Sequence, residues 1–279
     1  MTVNHVEGKS IIITGAGGGF GRLTSEQLGA RGACLTCVDI DGRAAEISAQ
    51  AIRDAGGIAQ SMAADVSNIA DMHLVAAKAI EAFGSIDVMV NNAGIMPLAF
   101  MADSETAHQA WMRCIDVNFK GVVNGTVAVH DQMIAQGRGQ IINISSIFGN
   151  VPVVGASVYG ATKAAVDYFS HALRQEARGK IKVTVIKPTG VRATNLSKSV
   201  INGRAVIGAL GPNASEFYEA AQLIAQGTAP EAWSDPDAIH YNVLEPVYIS
   251  DAIIHVIDQP WGVAISDMTI RAAGDYYMM

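Results

Sequence analysis

The sequence predicts an α/β domain of three layers, a doubly wound parallel sheet between two sets of helices, and three observations predict it. Strand-like and helix-like patterns alternate from residue 9 to residue 270, with no internal repeat. The strand-like runs are continuously apolar, as in Ile11-Ile12-Ile13, which is expected where both faces of a sheet are covered. A glycine-rich turn, Gly15-Ala16-Gly17-Gly18-Gly19-Phe20-Gly21, stands directly between the first strand pattern and the first helix pattern. With 279 residues, 50% of them hydrophobic, 16% charged and 28 of them glycine, the chain suits one domain over 1–279 in which small-residue helices pack closely on a sheet.

The bulk numbers also exclude. A formal charge of −7 argues against nucleic acid or an anionic membrane as partner. Residues 1–10 are polar, without an apolar signal core, and no uninterrupted apolar run reaches membrane-spanning length, so the expected address is cytoplasmic. Cys34 and Cys37 fall in a strand pattern, where residues three apart point to opposite faces, and the seven histidines form no ligand-spaced pair. No metal is assigned.

The elements follow in order. A strand over 9–14 enters the glycine loop and a helix over 20–31 leaves it, so close backbone approach and the amide end of the helix together make a phosphate cradle. The next strand, 33–38, ends at Asp39, placed to take adenosine ribose hydroxyls and repel a 2′-phosphate; this favours NAD, while Arg22 and Arg43 keep NADP open. Asp41 reads as the N-cap of a helix over 42–55. After the strand 58–63, Asp65 is placed at an adenine amino group, with Val66 against the ring face, or as a cap for the helix 68–83, two roles that do not exclude one another. The strand 86–90 leads to Asn91-Asn92-Ala93-Gly94, whose amides read as supports of the central sheet. A long helix is expected over 104–136. Within it Asn118, amid apolar neighbours, bonds a helix irregularity, holds a water behind the lysine, or does both.

The chemistry concentrates after the strand 139–145. Tyr159 and Lys163 lie one turn apart on a helix over 159–178, so they share a face, and an ammonium beside a phenol is expected to lower the phenol's pKa. Ser146, thirteen residues before Tyr159, could hydrogen-bond the substrate oxygen that the phenol protonates, and Ser145 competes for that role. A strand over 181–186, a helix over 246–257 and a strand over 262–270 complete the sheet. Between them the Gly-, Ser- and Pro-rich region 195–235, with a helix over 214–225, reads as a lid over a ligand. Its Leu196, Val200, Ile201, Val206, Ile207, Leu210, Phe217 and Tyr218 hint at a hydrophobic substrate or merely pack the lid down.

Taken together, Thr14 to Gly21, Asn91 to Gly94, Asn118, Ser146 and Tyr159 to Lys163 resemble the short-chain dehydrogenase/reductase family over residues 9–274. The resemblance implies a Rossmann-type domain, a nicotinamide cofactor and hydride transfer between a secondary alcohol and a ketone. It implies Tyr159 as general acid/base, Ser146 and Lys163 as its partners, and Asn118 as holder of a water behind Lys163. It places the cofactor at Thr14, Gly15, Gly19, Phe20 and Gly21, at Asp39, Asp65 and Val66, at Asn92, Ala93 and Gly94, and at Tyr159, Lys163, Pro188, Val191 and Thr194. It also implies a homo-oligomer, a tetramer or a dimer, on the helices that hold Asn118 and Tyr159. Two features depart from the family pattern: Thr189 stands where Gly is usual, and Ala193 where a Thr is usual, which leaves Thr194 as candidate for the carboxamide contact. The spacing Gly15-x-x-Gly18-x-x-Gly21 also fits epimerase-like members, so an epimerase or dehydratase, or a nucleotide sensor, is the alternative.

Overall fold

The computed structural model of the protein describes residues 3–192 and 194–278; Ala193 lies outside them. Seven strands form one wholly parallel sheet: β1 (Ser10–Thr14), β2 (Cys34–Asp39), β3 (Ile58–Ala63), β4 (Val88–Asn91), β5 (Gly139–Ile144), β6 (Ile181–Pro188) and β7 (Asp267–Ile270), in the order β3-β2-β1-β4-β5-β6-β7. The order reverses between β1 and β4, and there a cleft opens at the carboxyl ends of the strands. Central strands β1, β4 and β5 are buried at every position, which accounts for the apolar runs Ile11-Ile12-Ile13, Val88-Met89-Val90 and Ile141-Ile142 within them.

Helices cover both faces. α1 (Gly19–Ala30), α2 (Gly42–Asp54) and α9 (Pro246–Ile257) lie on one side, with a core that includes Ile11, Ile13, Leu28, Ile253 and Ile257. α3 (Ile69–Phe83), α5 (Gly121–Gln136) and α6 (Ser157–Glu176) lie on the other, over Ile12, Val75, Met89, Met133 and Val183. Two caps set helix starts: Asp41 accepts the amides of Arg43 and Ala44, and Asn68 accepts that of Ala70. Asn68, rather than Asp65, is thus the cap of α3.

The helix expected over 104–136 is divided. α4 (Ser104–Ile115) runs into a π-helical turn, Asp116–Lys120, before α5, and Asn118 lies in that turn. The last strand is shorter than expected, since 262–266 approach the sheet as loop and only Asp267–Ile270 pairs with β6. The region 195–235 holds more than the one expected helix: short 3₁₀ turns, a one-turn α7 (Ile207–Leu210) and then α8 (Ala214–Gln226).

Candidate active site

Two hollows share a wall at the carboxyl ends of the strands. One, of about 470 Å³, lies along Gly15, Gly18, Gly19 and Asp39; the other, of about 300 Å³, is bordered by Ser146, Tyr159 and Lys163. Phe20, Asn92, Gly94, Thr194 and Leu196 border both.

The first hollow has the chemistry of an anion cradle. α1 begins at Gly19 with no side-chain cap and no acidic residue in its first turn, which leaves its terminal amides to an incoming anion. Gly15 has φ +68°, and a Cβ there would stand 2.9 Å from Asn92 Nδ2; a Cβ on Gly21 would collide with the Gly15 carbonyl. The loop is therefore tight as well as bare. Asp39 supports it from below, its carboxylate accepting the Gly17 amide at 2.9 Å and the Asp41 amide at 3.0 Å.

Thr14 and Asn92 bind the ends of β1 and β4 together. The Thr14 hydroxyl donates to the Val90 carbonyl and accepts the amides of Asn92 and Ala93, while Asn92 Nδ2 donates to the Thr14 carbonyl at 2.8 Å. Asn91 continues the link through Asn143 to Ser170 on α6. These amides support the sheet, as their position in the sequence suggests. Asp65 and Val66 stand outside the walls of both hollows. The Asp65 carboxylate is held by Arg113 at 3.0 Å and by Ser67; burial acts to raise its pKa, but Ser67 and Arg113 together keep it below the usual aspartate value. Val66 packs against Gly121 in the core.

At the second hollow, β5 ends at Ile144 and the chain turns so that Ser146 faces Tyr159 of α6. Tyr159, Lys163 and Ser146 are all buried, and the phenol ring meets Phe148 edge-on at 5.5 Å. Lys163 Nζ lies 5.7 Å from the centre of the phenol ring and donates to the Ile144 carbonyl at 2.9 Å. Ser145 is spent on the Lys163 backbone carbonyl, which leaves Ser146 as the serine acting on the phenol.

The field here differs from the expectation of an acidified phenol. Burial pushes Tyr159 above the ordinary tyrosine value; the Ser146 hydroxyl pulls it back in part, and Cys114 pushes it further up. Burial likewise lowers Lys163 to about 8, against the opposing pull of Cys114 and Asp167. Desolvation of the charged form dominates at both groups, and Nζ is turned to the Ile144 carbonyl.

Asn118 bonds the helix irregularity in which it lies. Its Oδ1 accepts the Ile95 amide at 2.9 Å and its Nδ2 donates to the Ile95 carbonyl at 2.8 Å, so the π turn clasps the chain after β4. A Cβ on Gly94 would stand 3.4 Å from Asn118 Oδ1 and 3.8 Å from Lys163 Nζ, which puts this clasp directly behind the lysine.

Leu196, Val200, Val206 and Phe217 of the 195–235 region line the second hollow; Ile201, Ile207, Leu210 and Tyr218 do not. Pro188, Thr189, Gly190 and Val191 line it from the end of β6. Met96, Leu98 and Tyr277 also line it, and no periodic pattern marks any of them in the sequence. Among the described residues no group of three or more His, Cys, Asp or Glu could hold a metal ion, and no helix is long and apolar enough to cross a membrane.

A parallel sheet with a glycine cradle at its switch point, next to a buried Ser-Tyr-Lys set, defines a nucleotide-dependent oxidoreductase fold. The family model for short chain dehydrogenases matches residues 9–205, and the chain belongs to that family. It is 40% identical over 196 residues to the putative oxidoreductase SadH of Mycobacterium tuberculosis (strain ATCC 25618 / H37Rv), over 68% of this chain and 69% of that protein. It is 30% identical over 274 residues to an uncharacterized oxidoreductase of Staphylococcus saprophyticus, over 96% and 98%. A 7α-hydroxysteroid dehydrogenase complexed with NADH and 7-oxo glycochenodeoxycholic acid shares its fold at TM-score 0.79 and 22% identity, over 98% of this chain and 97% of that one. So does an NAD⁺-bound xylitol dehydrogenase, at TM-score 0.77 and 22% identity, over 96% and 99%.

Proposed function

We propose that the protein is an NAD(H)-dependent oxidoreductase that interconverts an uncharged, hydrophobic secondary alcohol, cyclic or aryl, and its ketone. The observation that carries this reading is the burial of Ser146, Tyr159 and Lys163 together at an apolar hollow that shares a wall with the glycine cradle. The cradle fits a dinucleotide: uncapped α1 amides and a bare glycine loop suit the pyrophosphate, and the carboxylate of Asp39 suits a ribose diol and disfavours a 2′-phosphate. Thr194, on the wall common to both hollows, is the candidate for the carboxamide contact, beside Pro188 and Val191.

When bound, the nicotinamide supplies a hydride donor or acceptor. The chain supplies the proton and the orientation. Tyr159, kept protonated by its burial, gives its proton to the ketone oxygen in reduction and takes it back in oxidation. Ser146 hydrogen-bonds that same oxygen and stabilises the charge that develops on it. Lys163, one turn on, stands beside the phenol ring with its amine held by the Ile144 carbonyl. Leu196, Val200, Val206 and Phe217 exclude water from the reacting atoms.

Incubation with NAD and a panel of cyclic and aryl secondary alcohols, followed by nicotinamide absorbance, tests the reading. Tyr159→Phe is expected to lose at least about 10²-fold in turnover while binding NADH as the wild type does. Undiminished turnover in that variant would remove Tyr159 from its role, and NADH binding without any absorbance change across the panel would favour a sensor or an epimerase instead.

A further inference from the structure

The chain beyond β7 returns to the active-site end of the sheet and docks there. Arg271 donates to the Asp275 carboxylate and, at 2.7 Å, to the Tyr277 carbonyl, while the Tyr277 amide donates to Asp275. Three bonds tie this tail to the rest of the fold: Gly274 N to the Tyr241 carbonyl at 2.8 Å, Asn213 Nδ2 to the Tyr276 carbonyl at 3.1 Å, and Met278 N to the Ala209 carbonyl at 3.2 Å. Tyr276 meets Phe217 of α8 edge-on at 5.9 Å. The tail is thus joined to the region that covers the second hollow.

Its fit is written at distant positions of the chain. A Cβ on Gly190, in the turn after β6, would stand 2.6 Å from Tyr277 Cε2 and 2.7 Å from its hydroxyl oxygen. A Cβ on Gly211, after α7, would collide with the Met278 side chain. The Tyr277 ring fills the space Gly190 leaves, packs on the cluster that includes Phe148 and Tyr159, and forms part of the wall of the hollow, while the Met278 side chain fills the space at Gly211.

We propose that the tail 275–278 is the specificity wall of the substrate pocket, and that Tyr277 limits the substrate to compact, uncharged alcohols and ketones of one or two rings. This rests on the dehydrogenase reading above. Two further observations favour it. The hollow, about 300 Å³, lies at the low end of the usual range for small-molecule pockets of about 300–1,000 Å³, and it must also receive the reacting end of the cofactor. Lys163 is the one charged side chain among the described residues lining it, and its amine is already donating to Ile144, so a substrate carboxylate or phosphate would be buried without a free cation to pair with. We expect a fused four-ring nucleus to exceed the space that the Tyr277 ring leaves.

The test uses the full chain in three forms: wild type, Tyr277→Ala, and Gly190→Ala, which displaces the ring without removing it. NADH affinity, followed by fluorescence, and the thermal midpoint check that each variant is folded and holds cofactor. The ratio of kcat/KM for a four-ring hydroxysteroid to that for cyclohexanol is expected to rise at least about tenfold in both variants. An unchanged ratio in Tyr277→Ala, with NADH binding intact, overturns the proposal. Binding of the matching ketones, measured by ligand-observed NMR in the presence of NADH, reads the wall independently of turnover. Wild type is expected to bind cyclohexanone and 2-tetralone but not the oxosteroid, and Tyr277→Ala to bind all three. Wild-type binding of the oxosteroid as tight as that of 2-tetralone refutes the wall, whereas size-selective binding without turnover of any alcohol refutes the dehydrogenase reading and leaves the wall standing.

Discussion

Asp39 serves the loop and the cofactor through one carboxylate. Because it already accepts the Gly17 and Asp41 amides, its carboxylate is fixed in position and unwelcoming to a phosphate. Asp39→Asn keeps the size and one acceptor oxygen but removes the charge. The preference for NAD over NADP, read as a ratio of kcat/KM values, is therefore expected to fall at least about tenfold, equivalent to about 1.4 kcal/mol; an unaltered ratio would mean that Asp39 only builds the loop. Lys163 carries a second prediction. Its pKa is lowered to about 8 in the folded chain against a reference of 10.5, so between those values the unfolded chain binds more protons and folding stability rises with pH. The stability of the wild type relative to Lys163→Met should accordingly grow from about pH 8 to pH 10 in urea titrations. A difference that stays flat with pH would show that burial does not perturb the amine. The spacing of Tyr159 and Lys163 was legible because one helical turn fixes it. The sign of the shift was not, because it depends on how deeply other elements cover the pair.

At the scale of elements, the caps of α2 and α3 are local hydrogen bonds; that of α2 was legible at Asp41, whereas the sequence reading places that of α3 at Asp65 and the structure has it at Asn68. The π turn between α4 and α5 could not be placed by periodicity, since one extra residue merely shifts the helical phase; Asn118, out of keeping with its apolar neighbours, was the trace it left. That residue satisfies both the amide and the carbonyl of Ile95. Asn118→Leu strands these groups, and each buried group left without a partner costs about 1–3 kcal/mol. A lowered denaturation midpoint is expected, together with weaker NADH binding, because the Ile95 segment borders the cradle. If stability fell but NADH affinity held, the clasp would be structural alone.

The whole molecule was the most legible level where the argument ran on alternation, and the least where it ran on shape. Continuous apolar strands and a glycine turn suffice for the doubly wound sheet, whereas Tyr276 and Tyr277 lie in a stretch without periodicity and reach the site only through tertiary fit. One surface feature also belongs to this scale. Met112, Ile115, Phe119, Val123 and Val127 recur every three or four residues through α4, the π turn and α5, and Met112, Ile115 and Val127 stay exposed at 43%, 39% and 50%. Phe119 packs edge-on against Phe169, next to which Tyr168 of α6 is 81% exposed. An apolar stripe of this length on helices already packed together is suited to a second copy of the same surface across a two-fold axis. We therefore expect light scattering to report a mass that is a multiple of the 29.2 kDa chain. Val127→Asp combined with Tyr168→Glu should shift that mass toward the single chain, because two like charges would be buried in a closed interface. Since these side chains lie outside both hollows, the dissociated variant should still bind NADH; a wild-type mass of one chain, or a variant mass equal to the wild-type oligomer, would rule out this face as the interface.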